Sequence, residues 1–153
     1  MNHHLFVFDL DYTLWDANGS WCDCTYPPYK RIDAIVQDKY GTKIQLYPEV
    51  IFILAELQKR KKKIAIASRT ESPSNARLLM SLLDITPYIH YEEIFPASKI
   101  QHFKNLTQNS GIHYRNMIFF DDESRNIADV SLLGVECIHV TRGINAKLVA
   151  PYW

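Results

Sequence analysis

The sequence predicts an α/β fold, a Rossmann-like three-layer sandwich in which helices cover both faces of a central parallel sheet. Three observations carry this. Four short apolar runs, at Leu5–Phe8, Ile64–Ala67, Met117–Phe120 and Cys137–Val140, alternate with segments of helical periodicity. The intervening segments include the ~10–15 residues that a crossover helix requires, which implies βαβ units. The first three runs are apolar throughout rather than alternating, as strands buried on both faces are.

Element by element, Leu5-Phe6-Val7-Phe8 is the first strand and stops abruptly at Asp9-Leu10-Asp11. Residues 16–47 break the alternation. They hold Trp21, Cys22, Cys24, Tyr26, Pro27, Pro28 and Tyr29 ahead of a short helix expected over Lys30 to Tyr40. The stretch reads as an elaborated loop over the carboxyl end of the first strand, where open α/β sheets bind ligands. Pro48 opens a helix with Val50, Ile51, Ile53, Leu54 and Leu57 at helical spacing, closed by the basic run Lys59 to Lys63. Ile64–Ala67 is the second strand and ends at Ser68-Arg69-Thr70. Ser72-Pro73 then starts a helix whose expected buried face is Leu78, Leu79, Leu82 and Leu83.

Glu92 to Phe95 reads as a minor strand before Pro96. Ser98 caps a helix running through Ile100, Phe103 and Leu106 to Gly111. Met117–Phe120 is the next strand, ending in Asp121-Asp122-Glu123. Ile127, Val130, Leu132 and Leu133 make a helix that Gly134 terminates, and Cys137–Val140 is the last strand. No repeat or linker interrupts the 153 residues, so one domain is expected over 1–153, at roughly 150 residues per domain.

Composition narrows the function. Lys plus Arg and Asp plus Glu each number 17, so the chain lacks the positive surplus of a general nucleic-acid binder. The longest apolar run, Val50 to Ala55, falls far short of the ~20 residues that span a bilayer. No signal peptide is visible at the N-terminus, and three cysteines are too few and odd in number for a disulfide framework. A reduced, cytoplasmic protein is expected, acting as a monomer or weak homo-oligomer without a membrane partner.

Three strand ends carry side chains that a packed sheet does not require: Asp9/Asp11, Ser68/Arg69 and Asp121/Asp122. In a parallel sheet these ends share one edge, so the side chains converge on one crevice. Four carboxylates there repel one another unless a divalent cation joins them. Mg²⁺ suits a few carboxylate oxygens together with phosphate oxygens. If the strand continues through Asp9-Leu10-Asp11, the two carboxylates face the same side. One can attack phosphorus while the other moves protons. A bare Asp-x-Asp more often caps a turn, and the longer string changes that.

Asp9-Leu10-Asp11-Tyr12-Thr13-Leu14 resembles the first motif of the haloacid-dehalogenase-like hydrolases, a superfamily of aspartyl-phosphate enzymes. Ser68, Lys99 and Asp121-Asp122 follow in that superfamily's order. With Trp15, Ala67-Ser68-Arg69-Thr70, Ser98-Lys99 ahead of His102-Phe103, and Phe119-Phe120-Asp121-Asp122-Glu123, the chain resembles the magnesium-dependent phosphatase family more narrowly. The match runs from Phe8 to about Gly143, and the loop Asp16 to Thr25 matches no motif.

The resemblance implies a role for each residue. Asp9 is the expected nucleophile and a metal ligand. Asp11 is the general acid/base, with its backbone carbonyl on the metal. Ser68 and the Arg69 amide clamp phosphoryl oxygens, and Lys99 neutralises charge on Asp9 and the phosphoryl group. Asp121 is a direct metal ligand, and Asp122 orients metal-bound water. Read alone, Ser68 is a helix cap, Lys99 a solvated helix-start lysine with Lys104 as rival, and Asp122 a cap for the next helix. The Arg69 side chain either holds a substrate anion or pairs with Glu71.

Cys22-Asp23-Cys24 has no second Cys pair or His-x-His at ligand spacing, so it is a poor zinc site. His139 reads as a core residue and the basic run at 59–63 as a solvated helix end. The gaps after the first motif and between the second and third hold only about 30 residues each, which excludes a large cap domain. Trp15, Trp21, Tyr26 and Tyr29 are candidate walls for the crevice. The expected activity is a Mg²⁺-dependent phosphomonoesterase acting on a small molecule or phosphoprotein, with phosphotyrosine-like or phosphosugar substrates suggested by the resemblance. A phosphotransferase shares the same half-reaction. A non-enzymatic phosphoaspartate module of the receiver type places its acceptor Asp on a middle strand and its Lys late in the chain, unlike the order here.

Overall fold

The computed structural model describes residues 2–153. Leu5–Phe8 (β1) enters the middle of the molecule directly, because its four side chains are all buried. A small antiparallel sheet follows, made by Trp15–Asp16 (β2), Lys30–Ile32 (β3), Ile35–Gln37 (β4) and Lys43–Leu46 (β5) in the order β2-β5-β4-β3. The chain then alternates: Val50–Lys59 (α1), Lys63–Ser68 (β6), Pro73–Leu82 (α2), Tyr91–Ile94 (β7), Lys99–Ser110 (α3), Met117–Asp121 (β8), Ser124–Ser131 (α4), Glu136–His139 (β9) and Ala146–Val149 (α5). The five strands β7-β6-β1-β8-β9 form one parallel sheet.

The sheet is apolar on both faces because alternate residues feed two separate cores. Phe6, Phe8, Ile64, Ile66, Ile118 and Phe120 pack with Val50, Ile53, Leu54 and Leu57 of α1 and with Ala76, Leu79 and Met80 of α2. Leu5, Val7, Ala65, Ala67, Met117 and Phe119 pack with Phe103 and Leu106 of α3 and Val130 of α4. Stacking of Phe8 on Phe120 at 5.1 Å tightens the first core, and an edge contact of Phe103 with Phe119 at 5.0 Å tightens the second. Helices thus flank the sheet on both sides, as expected.

Register positions the site. Phe8 lies opposite both Ile66 and Phe120, and the Asp9 amide donates to the Phe120 carbonyl at 3.1 Å. Asp9, Ser68 and Asp121 therefore leave the sheet at the same edge.

The structure corrects several expectations. Residues 30–40 form no helix: β3 and β4 make a hairpin with Ile32 opposite Ile35, turning through Asp33 and Ala34. Asp33 takes the left-handed conformation (φ 56°) that the two-residue turn requires. From Lys30 on, the stretch 16–47 is thus a small sheet, and residues 17–29 remain a loop holding the short turn Cys22–Cys24. Leu78 and Leu132 are exposed, and the buried positions of α2 are Ala76, Leu79 and Met80. His139 is exposed, with Nε2 hydrogen-bonded to the Asp122 carbonyl at 2.8 Å. No helix is long and apolar enough to cross a membrane among the described residues.

Candidate active site

The site begins with a helix cap. The Ser98 hydroxyl accepts from the Ile100 amide at 3.2 Å, so α3 starts at Lys99. Lys99 is not solvated: its side chain is 2% exposed and its Nζ donates to Asp9 Oδ1 at 2.9 Å and to Asp121 Oδ2 at 2.6 Å. Lys104, the rival, is exposed on the same helix. Burial alone would lower the Lys99 pKa, but the two carboxylates outweigh it and hold the ammonium charged.

Asp121 ends β8 fully buried. Its Oδ2 also accepts from Asn126 Nδ2 at 3.0 Å, and its Oδ1 from the Glu123 amide at 2.8 Å. Carboxylate oxygens of Asp9, Asp121 and Asp122 lie within 4.8 Å of one another. Burial raises the Asp9 pKa, Lys99 opposes that, and Asp121 and Asp122 add to it. Burial likewise pushes Asp122 up to about 6. Three hard oxygen donors this close together, with one lysine between two of them, fit a divalent cation such as Mg²⁺.

Asp11 is reached by a turn and not by continuation of β1. Tyr12 is left-handed (φ 62°), and the Leu10 carbonyl accepts from the Leu14 amide at 2.8 Å. Asp11 nonetheless lines the same cleft as Asp9. Its Oδ1 accepts from Trp15 Nε1 at 2.7 Å and from the Cys22 amide at 2.9 Å. Burial pushes its carboxyl up to about 6, against the pull of those donors.

Ser68, at the end of β6, is buried, and its Oγ accepts from the Thr70 amide at 3.3 Å. The N-cap of α2 is Ser72, so Ser68 caps no helix. Arg69 does not pair with Glu71; its Nη1 donates to Asn126 Oδ1 at 3.3 Å.

Asp9, Asp11, Ser68, Arg69, Lys99 and Asp122 line a cleft of about 250 Å³ with Trp21, Asp23, Thr70, Glu71, Glu123, Arg125 and Asn126, while Asp121 is fully buried behind Lys99. Of the four expected walls, only Trp21 lines it, 52% exposed and edge-on to Tyr12. Trp15 is core, Tyr29 bonds Thr25, and Tyr26 meets Tyr40. Cys22 is buried, with its thiol pKa driven far up by burial, whereas Cys24 is exposed.

Sequence reasoning missed two residues. Asn126 was legible in principle, one helical turn before buried Val130 and five residues after Asp121. Asp23 gave no signal: its carboxylate accepts from the Thr70 hydroxyl and from the Glu71 amide (3.2 Å), a contact that only the fold creates.

A five-stranded parallel sheet with acids, a serine and a lysine at one edge defines the haloacid-dehalogenase-like hydrolase class. A solved protein of that class from Streptococcus pneumoniae shares the fold, with a TM-score of 0.69 over 97% of this chain and 90% of its own, at 16% identity. Residues 2–151 match the acid phosphatase family. Human magnesium-dependent phosphatase 1 is 47% identical over 148 residues, covering 95% of this chain and 82% of the relative. A HAD-like hydrolase superfamily protein of Schizosaccharomyces pombe is 40% identical over 142 residues, covering 84% and 80% respectively. The chain therefore belongs to the acid phosphatase family of HAD-like hydrolases.

Proposed function

We propose that this magnesium-dependent phosphatase hydrolyses phosphomonoesters through a phosphoaspartate at Asp9. The observation that carries the reading is the double ion pair of Lys99, which joins Asp9 in the cleft to the buried Asp121. Asp9, Asp121 and Asp122, with the Asp11 carbonyl, would hold Mg²⁺, which when bound offsets carboxylate and phosphate charge.

Asp9 attacks phosphorus, and the leaving-group oxygen takes the proton of Asp11 as the P–O bond breaks. Asp11 then removes a proton from water, which attacks the same phosphorus, releases phosphate and returns Asp9 as carboxylate. Lys99 favours the ionised form of Asp9 against the effect of burial, and Ser68 with the Arg69 amide would hold the phosphoryl oxygens. Trp21 offers one wall to a ring, which supports phosphotyrosine-like or phosphosugar substrates. The reduced cytoplasm is the proposed location, in keeping with three free cysteines.

Turnover of p-nitrophenyl phosphate tests the metal requirement. Exhaustive chelation should abolish it and Mg²⁺ should restore it. Undiminished turnover after chelation contradicts the proposal.

A further inference from the structure

We infer that Trp15 is a positioning residue for the proton-transfer step: together with the Cys22 amide, its indole N–H holds one oxygen of Asp11 and presents the other to the leaving group. The inference rests on the reading of Asp11 as acid/base and goes beyond it.

Both donors, Trp15 Nε1 at 2.7 Å and the Cys22 amide at 2.9 Å, meet the same oxygen, Oδ1. An oxygen that accepts two N–H groups is a poor seat for a proton, because a hydroxyl there would set hydrogen against hydrogen. The proton that Asp11 delivers is therefore carried on Oδ2. Neither donor is free to move. Trp15, in β2, is fully buried, pairs with Leu46 of β5, and its carbonyl accepts from the Tyr12 amide at 3.0 Å. Cys22 sits in a short turn whose next residue, Asp23, is bonded to Thr70 and Glu71 beyond Ser68. Packing alone would be met by a phenylalanine. A buried indole requires a partner for its N–H, and here that partner is a carboxylate lining the cleft.

The experiment is single-turnover release of phenol from phenyl phosphate and of p-nitrophenol from p-nitrophenyl phosphate, in Trp15→Phe with Asp11→Asn in parallel. Phenolate is much the more basic leaving group and depends more on the proton. Trp15→Phe should slow phenol release about tenfold and p-nitrophenol release less than about twofold, with half-saturating concentrations unchanged, because it misaligns a group worth roughly 10²–10⁴-fold. Should Trp15→Phe not fold, benzothienylalanine at position 15 keeps the bicyclic shape and removes only the N–H. If Asp11→Asn shows the leaving-group bias and the position-15 variant loses both rates equally, or neither, the inference is overturned. If Asp11→Asn itself shows no bias, the acid/base reading fails first and takes the inference with it.

Discussion

Lys99 is an enclosed ammonium that stays charged because Asp9 and Asp121 lie within hydrogen-bonding reach of it. Replacing it by Met removes a cation from between two carboxylates. Lys99→Met should lower kcat by on the order of 10²-fold or more. It should also lower the Tm of the magnesium-free protein, and Mg²⁺ should raise that Tm more than in the wild type. Loss of activity in Lys104→Ala but not in Lys99→Met would show that the wrong lysine carries the charge. His102 makes a second residue-scale prediction. Burial holds its pKa down to about 4, although its Nε2 donates to the Phe95 carbonyl at 3.0 Å. A depressed histidine is neutral when folded and takes a proton when unfolded, near 6.5. Its contribution is therefore fully present above about 6.5 and is lost as pH falls toward about 4. The Tm of wild type should drop more steeply between pH 7 and 5 than that of His102→Gln, and parallel curves would contradict this. At this scale the motif residues were legible from their order along the chain. Asn126 and Asp23 matter through partners that lie 5 to 57 positions away, which no local pattern displays.

Strand ends explain why the large elements were readable and the small sheet was not. A strand buried on both faces is apolar throughout, and its first polar residue marks the edge where the site lies. The hairpin of β3 and β4 has only Val36 buried and turns through Asp33-Ala34 rather than Asn-Gly, so neither alternation nor turn chemistry marked it. The loop after β9 carries a testable fit of element to element. Gly143 is left-handed (φ 74°), and a Cβ there would lie 2.3 Å from the Tyr47 ring just before α1. Gly143→Ala should cost about 2 kcal/mol or more in urea unfolding, from overpacking added to the left-handed backbone. Gly41→Ala has the same backbone strain (φ 83°) but open space, and should cost about 1 kcal/mol. Equal losses at the two positions would contradict the close packing of Gly143 on Tyr47.

At the scale of the whole molecule, the parallel sheet brings residues from 9 to 126 in the sequence to one open cleft, and the connection between β2 and β3 adds Trp21 and Asp23 to its lining. That convergence was legible, since strand ends of a parallel sheet must share an edge. The place of Trp21 and Asp23 in the cleft lining was not, because it depends on how the segment between β2 and β3 folds back. The proposed reaction turns on one covalent bond made at Asp9. Asp11→Asn removes the base that would hydrolyse the intermediate, so with p-nitrophenyl phosphate the protein should release a burst of p-nitrophenol and stall. Borohydride reduction followed by peptide mass spectrometry should then find Asp9 converted to homoserine. Asp9→Asn should show neither burst nor adduct. An adduct at another residue, or turnover in the Asp9→Asn protein, would contradict the account.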